Sequence, residues 1–195
     1  MTRIVVTEFV SLDGVMEEPR WTFQFERGPD GGKFKYDELF DSDALLLGRV
    51  TYQGFAAAWP NMNDDDFGKR MNSIPKYVVS ATLTDAEATW GDTTVIRGDV
   101  AAEVARLKAQ LGGDLLVEGS CQLVHTLAAH GLVDEYRLML FPIILGSGKR
   151  LFPDGMDEAA TLALTECKPD RDGVLLLTYQ PTPAKAPAGQ PGAAG

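Results

Sequence analysis

The chain of 195 residues is 45% hydrophobic and 24% charged, a balance that suits one folded globular domain and excludes an intrinsically disordered one. Its 18 Lys and Arg against 28 Asp and Glu give a formal net charge of −10 at pH 7, and no basic run exceeds Lys149-Arg150. So acidic a chain is a poor match for nucleic-acid backbones or anionic membranes, and neither is expected as a partner.

Two cysteines, Cys121 and Cys167, are too few for a disulfide scaffold and read as free thiols of a reducing compartment. The opening Met1–Val10 is interrupted by Glu8 and lacks the pattern of a secretory leader, and no window approaches the roughly 18 apolar residues of a membrane span. The expected location is the cytoplasm.

In chain order, Arg3 to Val10 reads as a strand rich in β-branched residues, followed by a Gly- and Pro-bearing loop from Ser11 to about Lys33. Phe34 to Phe40 reads as a short helix, Ala44 to Leu47 as a buried strand and Thr51 to Trp59 as a helix. No element is assigned between Trp59 and Tyr77. Tyr77 to Ser80 and Thr93 to Arg97 are short strands. Ala101 to Leu111 is the clearest amphipathic helix, stopped by Gly112-Gly113. Leu115 to Val117 is a buried strand and Gln122 to Ala129 a helix ended by Gly131. Strands follow at Tyr136 to Ile144, Thr161 to Cys167 and Val174 to Tyr179.

This alternation implies an α/β fold: a central mixed, mostly parallel sheet flanked by helices on both faces, with antiparallel strands at the C-terminal end. The folded domain is expected over residues 1–180. Twelve of the fifteen residues from Pro181 to Gly195 are Pro, Gly or Ala, the composition of a disordered tail.

Two strand-to-helix junctions are natural anion sites, because helix N-termini present free N–H groups and a positive dipole end. The first is Leu47-Gly48-Arg49-Val50-Thr51, where Arg49 adds a cation and Thr51 a hydroxyl. A turn glycine with a surface ion-pair partner is the plainer alternative. The second is Val117-Glu118-Gly119-Ser120-Cys121-Gln122-Leu123, where Gly119 permits close backbone approach and Ser120 either caps the helix or meets a phosphate. Other motifs fail on spacing. Gly146-Ser147-Gly148-Lys149 lacks the earlier glycine of a P-loop, since Ile143 stands there. His125 and His130 lie about 140° apart around one helix and do not converge, so no metal is expected.

In order along the chain stand Ser11-Leu12-Asp13-Gly14, Leu47-Gly48-Arg49-x-Thr51-Tyr52, Val78-Val79-Ser80, Val117-Glu118-Gly119-Ser120, Leu132-Val133-Asp134-Glu135-Tyr136 and Pro142 to Phe152 with its Gly146-Ser147-Gly148-Lys149-Arg150 core. Together they resemble the dihydrofolate-reductase-like superfamily over about residues 2–180. The branch is that of the reductase domain of bifunctional riboflavin-biosynthesis deaminase-reductases. The resemblance implies NADPH along the sheet's carboxyl edge. Gly48, Arg49 and Thr51 would take phosphates at one helix start. Gly119, Ser120, Cys121, Gln122 and Leu123 would hold the pyrophosphate and neighbouring sugar at the other. Ser80 and Thr82 would meet the adenosine 2′-phosphate, and Val10 with Ser11–Met16 would border the nicotinamide. The Gly146–Phe152 loop resembles the one that braces a mobile active-site loop.

Three departures qualify what the resemblance implies. Glu118 and Ser120 replace glycines, Ala81 stands where relatives carry Arg, and the substrate carboxylate of folate reductases falls at Gly32-Lys33, where no acid matches. The loss of the Arg weakens the preference for NADPH, so NADH is not excluded. The implied activity is reduction of a small pyrimidine- or pterin-like heterocycle; the alternative is a nucleotide-binding or interaction module of the same fold without turnover. Asp13 is the catalytic candidate, with a turn-forming Asp before Gly14 as its alternative. Trp21 is the substrate candidate, with a core aromatic as its alternative. A homodimer is expected, because the apolar segment Tyr136–Ile144 reads as lying toward the sheet's edge and relatives resemble dimers joined there.

Overall fold

In the structure, a computed structural model that describes residues 2–153 and 159–183, apolar runs of four to nine residues become strands. The elements are β1 (Ile4–Ser11), α1 (Pro29–Phe40), β2 (Ser42–Gly48), α2 (Arg49–Ala58), α3 (Asp66–Ser73), β3 (Lys76–Val79) and β4 (Thr93–Ile96). After them come α4 (Val100–Gln110), β5 (Asp114–Glu118), α5 (Cys121–Ala129), β6 (Glu135–Phe141), β7 (Thr161–Pro169) and β8 (Leu175–Thr182). All strands join one sheet in the order β4-β3-β2-β5-β1-β6-β8-β7. The first six in that order run parallel, and β8 and β7 add antiparallel to β6.

Both faces of the parallel part are covered, which is why its strands are apolar at nearly every position. Ile4, Val6 and Val10 of β1 point to the core shared with Val104, Leu107, Leu123 and Leu127 of α4 and α5. Val5 points the other way, to Leu39, Tyr52 and Met71 of α1, α2 and α3. Connections moving toward β4 lie on the α1–α3 face and those moving toward β6 on the α4–α5 face, as right-handed crossovers require.

The structure changes four expectations. α1 begins at Pro29, five residues before Phe34, and the preceding loop holds a 3-10 turn at Pro19–Gln24. α3 fills the unassigned stretch, capped by Asp65, whose carboxylate accepts from Gly68 N at 2.7 Å. β8 extends to Thr182, two residues past the expected domain end, and the remainder of the expected tail from 184 lies outside the described residues. Finally, β6 is interior, between β1 and β8, so the segment from Tyr136 is not an edge; β4 and β7 are the outermost strands. The antiparallel return of β8 puts it there.

Candidate active site

Ligands of open α/β sheets sit outside the carboxyl ends of strands, where neighbouring strands send their connections in opposite directions. Here that point lies between β2 and β5. They pair side by side, yet β2 leads through α2 to β3 on one side and β5 through α5 to β6 on the other. The two junctions read from the sequence are the ends of these strands, and they touch. Gly48 N donates to Ser120 Oγ at 2.6 Å, and Ser120 Oγ donates to Thr51 Oγ1 at 2.8 Å. A Cβ on Gly48 would come within 2.9 Å of Ser120 Oγ, and one on Gly119 within 2.9 Å of Thr51 Cγ2. Both glycines therefore serve the approach of one junction to the other. The close approach expected of Gly119 toward a ligand is taken up by Thr51.

Gly119 and Ser120 are both left-handed, at φ 64° and 69°. For serine this costs about 1–2 kcal/mol, held in place by the two hydroxyl contacts. Because that hydroxyl is spent across the cleft, α5 has no side-chain cap, and neither has α2. Two helix N-termini, of nine and ten residues, thus point unpaired N–H groups into one crevice.

Around the crevice, exposed Arg49 reaches Gln53 Oε1 at 3.3 Å, and its charge helps hold the Glu87 carboxyl below its usual range behind the Thr84 hydrogen bonds. Ser80, at the end of β3, accepts from Thr82 N at 3.1 Å and Leu83 N at 2.9 Å. Arg97, unremarked in the sequence, donates to Leu83 O at 2.8 Å and Asp85 Oδ1 at 3.0 Å, placing a cation beside the turn where Ala81 supplies none. Leu123 is core, 5% exposed, and offers only its backbone. Gln122 is exposed, and Cys121 with Gln122 lines a cleft of about 310 Å³ together with His125 and the Gly148–Arg150 loop. The Cys121 thiol lies 3.4 Å from His125 Nε2 and 3.2 Å from Arg150 O. Burial pushes this thiol up, so it is not an activated nucleophile.

β1 extends past β5. Its last pair with β5 is Thr7↔Glu118, whereas it stays paired with β6 to Ser11↔Phe141. Residues 8–11 therefore have no β5 neighbour, and Val10, 5% exposed, packs in the core with Leu123 of α5. On the opposite sheet face, Lys35 of α1 donates to Glu118 at 2.9 Å and Thr7 at 3.1 Å and pairs with Glu38, which accepts from Thr7 at 2.8 Å. Burial pulls the Lys35 ammonium down, but Glu118 and Glu38 outweigh it and hold it above its ordinary value. Burial raises Glu38 against the pull of Lys35. Gly32 faces open space and exposed Lys33 pairs with Asp37, so the acid that α1 buries is Glu38, fully engaged by the protein.

Asp13 is committed elsewhere. It accepts from Ser11 Oγ at 2.7 Å, Leu145 N at 3.1 Å and Gly146 N at 2.8 Å. Leu12 N to Ile143 O, Met16 N to Lys149 O and Leu151 N to Gly14 O complete a seam between residues 11–16 and 143–151. Asp13 thus ties residues 11–16 to the Gly146–Phe152 loop. Trp21 stands edge-on to Phe141 at 5.5 Å and donates to Glu17 O at 3.2 Å. It joins Phe9, Phe25 and Phe141 in an aromatic wall, with Arg27 and Lys35 over the Phe9 ring.

Residues 2–176 match the RibD C-terminal domain. The chain belongs to the RibD C-terminal domain family. A relative within reach of this RibD-type chain is the uncharacterised Bacillus subtilis protein YyaP, 31% identical over 185 residues, covering 91% of this chain and 94% of that one. A second Bacillus subtilis protein, YwjB, is 28% identical over 156 residues, 76% of this chain and 82% of its own. The RibD-type fold recurs in a putative riboflavin biosynthesis protein from Shewanella sp. PV-4, with a TM-score of 0.76 and 21% identity across 93% of this chain and all of that one. It recurs too in the Enterococcus faecalis dihydrofolate reductase complexed with NADP(H), at TM-score 0.57 and 14% identity over 93% and 97% of the two chains. The dihydrofolate-reductase-like fold expected from the motifs is the fold observed. Among the described residues no helix is long and apolar enough to cross a membrane.

Proposed function

We propose that this RibD-family chain is an NADPH-dependent reductase of a small pyrimidine- or pterin-like heterocycle, working as a cytoplasmic homodimer. The observation that carries the reading is the pair of uncapped helix starts clamped together by Ser120 at the switch point of the sheet. The crevice fits a dinucleotide by its donor chemistry: backbone N–H groups of α2 and α5 for phosphates, the Thr51 hydroxyl beside them, and Arg49 and Arg97 flanking Ser80 and Thr82. The solved dihydrofolate reductase with NADP(H) supports the cofactor by fold.

When bound, the dinucleotide supplies the hydride. The protein holds the phosphates at the two helix starts and offers the partly exposed Phe9 and Trp21, backed by the buried Phe141, to a flat ring. The Lys35–Glu118–Glu38 cluster fixes the floor beneath Phe9. Gly32 leaves no carboxylate for pairing with a folate, so a smaller heterocycle suits the site better.

Mixing the protein with NADPH and a panel of pyrimidines and pterins, and following dihydronicotinamide fluorescence, tests both parts. Saturable binding with oxidation by one ring class is expected. Binding without oxidation by any ring would return the chain to a nucleotide-binding module. Arg49→Ala should weaken NADPH more than NADH, about tenfold or more for a charge-assisted contact worth about 1.5–3 kcal/mol. Equal small losses for both dinucleotides would remove Arg49 from the 2′-phosphate.

A further inference from the structure

Glu8 breaks the pattern of its strand. Ile4, Val6 and Val10, the neighbours on its face, are core residues, and Glu8 itself is 7% exposed. Its Oε1 is the one buried side-chain oxygen or nitrogen without a hydrogen-bond partner among the described residues. Leaving a buried polar atom unpaired is unfavourable, so the position calls for a ligand or a compensating role.

The place is informative. Glu8 is the first residue of β1 beyond its last pair with β5. Its carboxyl feels the Glu118 charge and the Gly119 N–H, and the Cys121 thiol feels its charge in turn; these are the residues through which β5 turns into α5. It therefore sits under the uncapped start of α5, a helix of nine residues that keeps its first N–H groups free. An ionised carboxylate there would repel an anion drawn to that helix start. A neutral one has an O–H to give, and anionic ligands are rich in acceptors.

We propose that Glu8 is a ligand-binding residue of the dinucleotide crevice, its carboxyl group hydrogen-bonding the nucleotide seated at the start of α5. The inference rests on the cofactor reading above. It makes nucleotide binding proton-linked. Burial, and then Glu118, push the Glu8 carboxyl well above the usual carboxylate range, with Glu38 of α1 adding to the rise. Lys35 of α1 and the Gly119 N–H pull the other way, and the Cys121 thiol of α5 feels the same charge. Below its folded-state pKa Glu8 donates to the nucleotide; above it, binding must recapture a proton.

The test is the dissociation constant of NADH and of NADPH against pH, for the wild type and Glu8→Gln. NADH is included because it lacks the 2′-phosphate, whose own titration would add to the profile. Wild-type affinity should fall as pH rises past the Glu8 transition, by up to about tenfold per pH unit. Calorimetry in buffers of different ionisation enthalpy should register proton uptake on binding. Gln keeps a donor and cannot ionise, so its profile should be flat and its proton uptake absent. If Glu8→Gln reproduces the wild-type profile and proton uptake while both proteins bind, the Glu8 proposal falls and the cofactor reading stands. Failure of either dinucleotide to bind either protein at any pH overturns the cofactor reading and this proposal with it.

Discussion

A single carboxylate, Asp13, shows how one residue can hold two loops together. Asp13 precedes a glycine in a loop at the end of β1, which suits both a turn and an active-site acid, and its hydrogen bonds give it the part of a turn brace. The Ser11 hydroxyl, then the Leu145 and Gly146 N–H groups, pull its carboxyl down to about 2. Its folded pKa lies below the unfolded value of about 3.9. The brace is therefore fully present above that unfolded value and is lost as pH falls through about 2. Acid titration followed by tryptophan fluorescence, which Trp21 reports from the neighbouring turn, should show a transition in that window for the wild type. Asp13→Asn should lack it and be less stable at neutral pH. An identical acid profile for the two proteins would mean the brace does not hold the seam. The residues that sequence reading passed over, Glu8, Lys35 and Glu38, left one legible signal: Glu8 interrupts an alternation of Ile4, Val6 and Val10. Lys35 and Glu38 look like ordinary charges on a helix, and only the packing of α1 over Thr7 and Glu118 makes them a buried cluster.

At the scale of elements, the starts of helices divided what could be read from what could not. The starts of α2 and α5 were legible because strand, glycine and helix follow one another without a break. The start of α1 was not, because its cap is remote: Gly28 N and Gly31 N both donate to Asp170 Oδ2, at 3.1 Å each. Gly28 and Gly31, which make this stretch look like loop, admit that side chain, since a Cβ on either would clash with the Asp170 carboxylate. The junction at Gly119 gives the sharpest test at this scale. A Cβ there meets Thr51 Cγ2 at 2.9 Å on a backbone held at φ 64°. Gly119→Ala should thus lower stability by about 1–3 kcal/mol through strain and overpacking, and weaken NADPH as the two helix starts separate. Ser120→Ala should also lower stability, by leaving Gly48 N unpaired. Thermal melts with and without NADPH separate these effects. A Gly119→Ala protein with wild-type melting and binding would mean that the two junctions are not held by this contact.

For the whole molecule, the order of strands decides where a second copy can dock. Reading Tyr136–Ile144 as an edge failed because β8 returns antiparallel alongside β6, a pairing between residues some forty apart that no local pattern announces. The sheet continues outward instead, and among the described residues its α5-side face is buried at Tyr136 of β6 and exposed at Leu164 of β7. Tyr136, Tyr179 and Leu164 stand in one row across β6, β8 and β7, and Phe152 lies edge-on to Tyr136 at 5.6 Å. Leu164 is 52% exposed and Phe152 41%. Main-chain pairing between two β7 edges is discouraged by the register shift between Leu164 and Glu166 and by Lys168 and Pro169 further along. The proposed homodimer therefore buries this face rather than zipping the edges, and a stable pair needs about 1,200–2,000 Å² in total. Light scattering at micromolar concentration should give twice the chain mass of 21.1 kDa. Leu164→Glu, placing a charge at the outer, most exposed end of the row, should give monomers whose far-ultraviolet circular dichroism and melting below saturation are unchanged, since the side chain is already half in solvent. A wild-type protein that scatters as a monomer at tens of micromolar would rule the dimer out. A dimer that survives Leu164→Glu would move the interface to another face of the sheet.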